Sequence, residues 1–520
     1  MSLDLTFILV LAGGAFLYAA LVPGRGRAWA LLAGSVAGIY WLQPALPIRF
    51  SGFILQTVTI ILTIASWALT RSAPSGNMGR GRAQKDAEVR AEGPGLFRFL
   101  PRRFGVNRRS ISDSENAIAL LLIGAIVVLM AFNRYLAFGL RITADRPPQP
   151  LVVAAVLGGL GLLLLAWLSR ARDEVSRRAL TAGILIIVLI FIVLKFDPAA
   201  VRLAAIWRSL AGQDATLAAP GDLAWLGFSY VAFRLISTMR DRQTGQLPDL
   251  NLRDYVIFVL FTPAYIAGPI DRAERFLLDL RALPEMVGLD GARFAAGGTR
   301  IVTGMFKKFV LADGLAQGFS LTPLNAAQAT STPALWALLY GYAFRLLFDF
   351  SGYTDIAIGL GMLFGIRLPE NFNWPYLSTT VTNFWQRWHM SLSSWVRFYV
   401  FSPLSRSLLR RQPRPSPVLI VFISQMTTMI VIGLWHGITL NFFIWGVWHG
   451  LALFAHKQWS DRTRKWYRGL AEKPWQKRAW TLLTWFLTFQ YVVLGWVWFL
   501  MPTPALALST FAKLFGLEGG

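Results

Sequence analysis

Two of the four histidines in this sequence sit where an imidazole could do chemistry. His389 lies in NFWQRWHMSLSSW (383–395) and His436 in GLWHG (433–437), each directly after a tryptophan. No Asp, Glu, Lys or Arg occurs from Val418 to Ala455, so the surroundings of His436 are apolar. Burial disfavours a protonated imidazole, which leaves a neutral ring able to take a proton near pH 7. A general base is one reading of such a residue; a satisfied structural hydrogen bond is the other. His456 ends an apolar run beside Lys457 and suits a membrane interface. His449 shares a helical face with Trp445 and reads as packing with one hydrogen bond. Helical zinc motifs place His at i and i+4 with a carboxylate. His449 and His456 are seven residues apart with no acid between them, so no metal site is expected. The stretch FDFSGYTDIAIGLGMLFG (348–365) carries Asp349 and Asp355, expected as helix caps or as partners of Arg234 or Arg387, because intramembrane carboxylates are commonly held in ion pairs. Gly361 and Gly365 make a GxxxG pair that would admit a neighbouring helix.

The elements that must position these residues are membrane helices. The chain has 520 residues, 55% hydrophobic and only 15% charged, where soluble domains carry about 25% charged residues. Asn116–Asn133, Leu151–Leu168 and Ala179–Leu194 are free of charge, and uncharged runs of about 17–20 residues span the hydrocarbon core as helices. They are too uniformly apolar for alternating barrel strands. Spans are expected at 4–23, 29–47, 52–70, 116–138, 151–168 and 179–195. The fold class is therefore an all-α polytopic membrane protein. A net charge of +24 would suggest nucleic acid in a soluble protein; here it reads as topology. Arg25 and Arg27, the segment 71–115 with ten Lys/Arg against five acids, and the cluster Arg170, Arg172, Arg177 and Arg178 place three loops in the cytoplasm and the N-terminus outside. Anionic lipid headgroups are the expected contact of these loops. No Lys or Arg precedes the first apolar run, which argues against a cleaved signal peptide. The absence of cysteine removes disulfides, thiolate metal sites and a Cys nucleophile together.

After about residue 220 the hydrophobic stretches acquire polar residues and prolines, such as Arg234, Lys307–Lys308 and FTPAYIAGPIDRAERF (261–276). Short, tilted or re-entrant helices buried in protein suit that pattern. The expectation is an N-terminal bundle over 1–220 and a polar-cored catalytic half over 221–520, forming one integrated domain.

The string FDFSGYTDIAIGLGMLFGIRLPENFNWPYLSTTVTNFWQRWHMSLSSW (348–395), with GLWHG (433–437), WGVWHG (445–450) and YIAGPIDRAERF (265–276), resembles the membrane-bound O-acyltransferase family. The likeness is to its bacterial branch, which serves alginate O-acetylation and teichoic acid D-alanylation, and it is strong over roughly 260–450. The resemblance implies a ring of tilted membrane helices around a thinned centre, with re-entrant segments and a central tunnel. It also implies that His436 is essential, that His389 lies in the tunnel with Asn383, Arg387 and Trp388 around it, and that tryptophans wall the passage. The branch's W.RDY.YIPLGGNR becomes WVRFYVFSPLSRSLLRR (395–411) here, with Phe398 at the usual Asp and Ser405, Arg406 and Ser407 at the glycine turn. Donor recognition and substrate identity do not transfer across that departure.

The function expected on this basis is transfer of an acyl group, acetyl by family frequency, from a cytoplasmic thioester to a hydroxyl of an extracytoplasmic polysaccharide, glycolipid or partner protein. His436 would be the general base. Asn383, Arg387, Trp388 or Trp435 would donate to the developing oxyanion, with His389 orienting the acceptor or stabilising the same charge. The donor would be acyl-CoA or an acyl-carrier protein, drawn to a cationic strip of Arg406, Arg410 and Arg411. No bound cofactor or metal is expected, and a periplasmic or extracellular acyl-transfer partner is compatible. A transporter or flippase using the same polar groups as a relay is the rival class. A polyprenyl-sugar glycosyltransferase would want paired catalytic carboxylates, which are not evident.

Overall fold

The computed structural model describes residues 5–71, 113–137, 141–170 and 176–517. Most of the expected loop 71–115 lies outside them. In chain order the principal helices are α1 (Leu5–Leu21), α2 (Arg27–Leu42), α3 (Ser51–Thr70), α4 (Asp113–Phe132), α5 (Pro150–Arg170), α6 (Arg177–Lys195), α7 (Asp197–Leu210), α8 (Phe228–Thr244), α9 (Leu252–Leu260), α10 (Ala273–Ala282), α11 (Gly291–Met305), α12 (Thr332–Leu363), α13 (Met390–Val396), α14 (Ser402–Leu409), α15 (Pro417–His436), α16 (Leu440–Gly469), α17 (Pro474–Leu500) and α18 (Pro504–Leu514). Among the described residues, six helices are long and apolar enough to cross a membrane, and no strand occurs. The expected span 29–47 is shorter in the structure: α2 stops at Leu42, ahead of Pro44 and Pro47, which lack the amide that would continue it.

The helices run between two ends. One end gathers basic turns: Arg27 donates to the carbonyls of Leu283 and Met286, Arg242 to that of Thr70, and Gln243 to that of Arg177. At the other end Gln213 holds Arg49 and Pro47, Gln43 reaches Ala224, and Lys513 reaches Ala327. One hydrophobic core runs from Phe7 to Leu514 and joins the N-terminal helices to the rest. A buried polar chain crosses the same join, with Tyr265 donating to Gln56 and Gln56 to Gln43, each at 2.6 Å.

The polar-interrupted sequence folds as half-helices that enter and turn back. Helix α9 leaves the basic end and breaks at the Thr262–Ala264 turn, where Pro263 contributes no amide. The chain then returns to Arg272, whose guanidinium lies 3.7 Å from Asp241 at the basic end of α8. The broken end needs donors for its carbonyls. Arg234, almost wholly buried, supplies them, donating to the Val259 and Ala264 carbonyls at 2.7 Å each. Arg234 is thus not the partner of Asp349 or Asp355.

Helices α11 and α12 pack antiparallel on a glycine seam. Gly304 faces Gly352 and Gly297 faces Gly359, so closely that a Cβ at Gly304 would sit 2.6 Å from the Gly352 carbonyl and one at Gly359 2.7 Å from that of Gly297. The close approach is therefore at Gly352 and Gly359, not at the expected Gly361 and Gly365. Gly361 instead abuts its own turn at Ile366, and Gly365 holds φ 87 at the end of the helix. A second seam joins α15 to α16 through Gly446, whose Cβ would meet the Met429 carbonyl at 2.7 Å.

Candidate active site

His436 is the last residue of α15, and its imidazole makes no hydrogen bond with any described residue. It lines a cavity of about 560 Å³ together with Trp435, Lys195, Tyr230, Tyr353, Lys308 and Asp349. That volume is in the range of small-molecule sites. The exposed residues of its lining, Pro44, Pro220, Gly221 and Ala224, lie at the end opposite the basic turns. Aromatic rings fix the imidazole from behind: Phe499 at 4.7 Å, Trp445 and Phe442 at 5.8 Å. The start of α8 forms another wall. Gly227 precedes it with φ 78, and a Cβ there would strike the Tyr265 ring at 2.5 Å. Only glycine meets both demands.

His389 lies one ring layer behind this cavity. Its imidazole is 4.7 Å from Phe350 and 6.1 Å from Trp435, both of which line the cavity. The Trp435 indole is 4.6 Å from His436, so it stands between the two histidines. Two buried polar atoms have no partner here, Nε1 of Trp435 and Nε2 of His389. The His389 backbone holds φ 42, a conformation that costs a non-glycine residue about 1 kcal/mol or more and persists only where its surroundings enforce it. Asn371 does so: its carbonyl accepts from Met390 N at 2.9 Å and its Oδ1 from Ser391 N at 3.1 Å. Ser391 in turn accepts from Ile270 N at 2.9 Å, tying this turn to the returning half-helix.

The carboxylates have other partners than expected. Lys308 pairs with Asp349 at 2.5 Å, and Arg300 and Lys307 pair with Asp355 at 2.7 and 2.6 Å. Asp355 is buried in the α11–α12 seam away from the cavity, whereas Asp349 faces it. The neighbouring helix α11 and its π-helical extension Phe306–Ala312 lie within reach of both acids, and contacts this distant along the chain leave no local mark in the sequence. Arg387 makes no ion pair among the described residues; its carbonyl accepts from Asn373 N. Neither its side chain nor that of Asn383 lines the cavity, and Asn383 instead opens the short helix Val381–Trp385 with its amide on Thr380.

Of the expected tryptophan walls, Trp435 lines the cavity, and Trp225 joins it. Trp388 packs in the core on Tyr376, Phe384 and Trp496, and Trp385 on Trp445 and His449. His449 is fully buried and accepts one long hydrogen bond from Trp385, at 3.4 Å, while His456 is partly buried against Thr382 at 2.8 Å. Arg406, Arg410 and Arg411 are exposed, before the start of α15, whereas His436 ends it. Twenty helical residues, about 30 Å, separate the strip from the cavity, so it does not border that exposed lining. Among the described residues no group of three His, Asp or Glu side chains is placed to hold a metal.

The unforeseen cavity residues are Lys195, Tyr230, Tyr353 and Lys308. Lys308 and Tyr353 stand out in the sequence as polar groups inside apolar stretches; Lys195 and Tyr230 do not. At the basic end Phe398, at the departure from the family pattern, lies under the Arg272 guanidinium at 4.9 Å. Residues 185–501 match the MBOAT, membrane-bound O-acyltransferase family, and the chain belongs to that family. It is similar to a peptidoglycan O-acetyltransferase of Helicobacter pylori, 35% identical over 266 residues, which is 51% of this chain and 47% of that one. It is also similar to a probable alginate O-acetylase of Pseudomonas syringae pv. tomato, 37% identical over 279 residues, 53% of this chain and 48% of the other. A teichoic acid D-alanyltransferase of Streptococcus thermophilus is 34% identical over 290 residues, 53% of this chain and 68% of that one. The chain spans about half the length of the first two relatives.

Proposed function

We propose that this member of the membrane-bound O-acyltransferase family moves an acyl group, acetyl in the first instance, from a thioester made in the cytoplasm to a hydroxyl on the outer side. The observation that carries the reading is the placement of His436: a hydrogen-bond-free imidazole on a cavity whose exposed lining lies at the end opposite the basic turns. By the Lys/Arg bias that end faces outward and the N-terminus is outside. The names of the relatives, which acetylate peptidoglycan or alginate or D-alanylate teichoic acid, point to an envelope polymer or a carrier of its acyl groups as acceptor.

In this reading His436 takes the proton of the acceptor hydroxyl as its oxygen attacks the thioester carbonyl. The indole of Trp435, whose buried Nε1–H has no partner, turns toward the cavity to meet the tetrahedral oxyanion, and His389 packs against that indole. Collapse expels the thiolate, which takes the proton back from His436, leaving an ester and a free thiol. Acyl-CoA or an acyl-carrier protein supplies the thioester from the basic end, where Arg406, Arg410 and Arg411 attract its phosphates or acidic surface. The same residues also suit anionic lipid headgroups.

The test is genetic. Deleting the gene should strip ester-linked acyl groups from one envelope polymer or glycolipid, measured by mass spectrometry of purified fractions. Wild-type protein should restore them, and His436→Ala should not. An unchanged ester content in every fraction of the deletion strain would refute the proposal.

A further inference from the structure

We propose that Lys195 is an anion-binding subsite beside His436, so that the acceptor carries a carboxylate or phosphate close to the hydroxyl that is acylated. This rests on the acyl-transfer reading for what the bound molecule is used for, but the subsite itself is read from the cavity.

Lys195 is the last residue of α6 and lines the same cavity as His436. The two belong to one wall, because the Lys195 carbonyl accepts from Ile438 N at 3.2 Å, two residues beyond His436. Its ammonium makes no ion pair or hydrogen bond among the described residues and lies over the face of Phe191, 6.0 Å from the ring centroid. The carboxylate on the cavity wall, Asp349, is already engaged by Lys308 at 2.5 Å. The carbonyl end of its own helix offsets part of the charge, but no carboxylate pairs with this half-buried cation, so an anion entering the cavity would find it free. The wall facing it adds charge of the same sign, since the start of α8 has no side-chain cap and a helix N-terminus is partly positive. Trp225 and Tyr230 supply flat apolar and hydroxyl surface between these groups, as a sugar ring or similar acceptor would need. A lysine that merely extends its stem to the membrane interface would select no anion.

The experiment measures binding without a donor, so it does not depend on acyl transfer. Purified full-length protein in detergent is titrated by microscale thermophoresis with a galacturonate trimer, with glycerol 1-phosphate and with a neutral galactose trimer. At least one charged probe should bind tenfold or more tightly than the neutral one, and which of the two does so distinguishes carboxylate from phosphate. Lys195→Gln should remove that preference, and Lys195→Arg should keep it. Equal binding of charged and neutral probes by the wild type, or an undiminished preference in Lys195→Gln, would overturn the proposal. Should Lys195→Gln not fold, the wild-type comparison, repeated at raised salt, decides alone, since charge-driven preference must weaken with ionic strength.

Discussion

Gly304→Ala tests whether the α11–α12 seam holds the cavity in shape. The added Cβ would sit 2.6 Å from the Gly352 carbonyl and 2.8 Å from Ile356 N, both backbone atoms that cannot rotate away. Reaching the 3.4 Å of ordinary contact requires the helices to part by about 0.8 Å at that level. Overpacking of this kind costs roughly 1–3 kcal/mol. The damage should not stay local. Lys307–Asp355 and Lys308–Asp349, at 2.6 and 2.5 Å, cross the same seam just beyond Gly304, and the second pair lines the cavity. Gly298, on the same helix with nothing within 4 Å of its Cβ, is the control, and Gly298→Ala should be neutral or stabilising by up to about 1 kcal/mol. The assay is the thermal unfolding midpoint of purified protein in detergent, paired with transfer activity. Gly304→Ala should melt earlier than wild type and lose activity, while Gly298→Ala should do neither. Equal midpoints for the two variants would refute the seam argument.

Asp355→Asn should destabilise the fold by roughly 1–3 kcal/mol, because Lys307 loses its carboxylate and Arg300 keeps only Glu370; both cations are about one-third exposed, which limits the cost. Thermal midpoints compared with Asp349→Asn, whose partner Lys308 retains Asp313, check the order. In the turn before α8, the hydrogen bond from Arg208 holds the Asp222 carboxyl below its ordinary range. Its contribution is then complete above the ordinary carboxylate value near 4 and is lost as pH falls through the lower folded value. The stability gap between wild type and Asp222→Asn should therefore be present at pH 7 and close below about pH 4, as read by acid unfolding. Neutralising Arg406, Arg410 and Arg411 together should raise the donor KM several-fold at low salt with kcat nearly unchanged, and the effect should shrink at high salt. An unchanged KM with poorer membrane insertion would assign the strip to lipid instead.

Much of the fold was legible because membrane helices and their breaks are local in sequence. Uncharged runs marked α4, α5 and α6, and the prolines of 261–276 marked the broken half-helix after α9. The histidines were legible because polar residues in apolar stretches stand out. What could not be read was which distant groups meet. Arg234 was paired by expectation with a carboxylate, but the broken end of α9 had carbonyls to satisfy and took it. Asp355 found Arg300 and Lys307 because two glycines, Gly304 and Gly352, let their helices close. A GxxxG spacing alone chose the wrong pair, since Gly361 and Gly365 serve the helix end. Lys195 gave no signal, because a lysine closing an apolar run is what any membrane helix shows.

The most direct measurement is transfer of label from radiolabelled acetyl-CoA by purified protein reconstituted in liposomes, with membranes stripped of acyl esters by mild base as acceptor. Wild type and His456→Ala should transfer label at comparable rates. His436→Ala should lose at least a hundredfold, the lower range of what a general base contributes, at an unchanged thermal midpoint. Transfer by His436→Ala within a few-fold of wild type would contradict the central claim that this hydrogen-bond-free imidazole is the base.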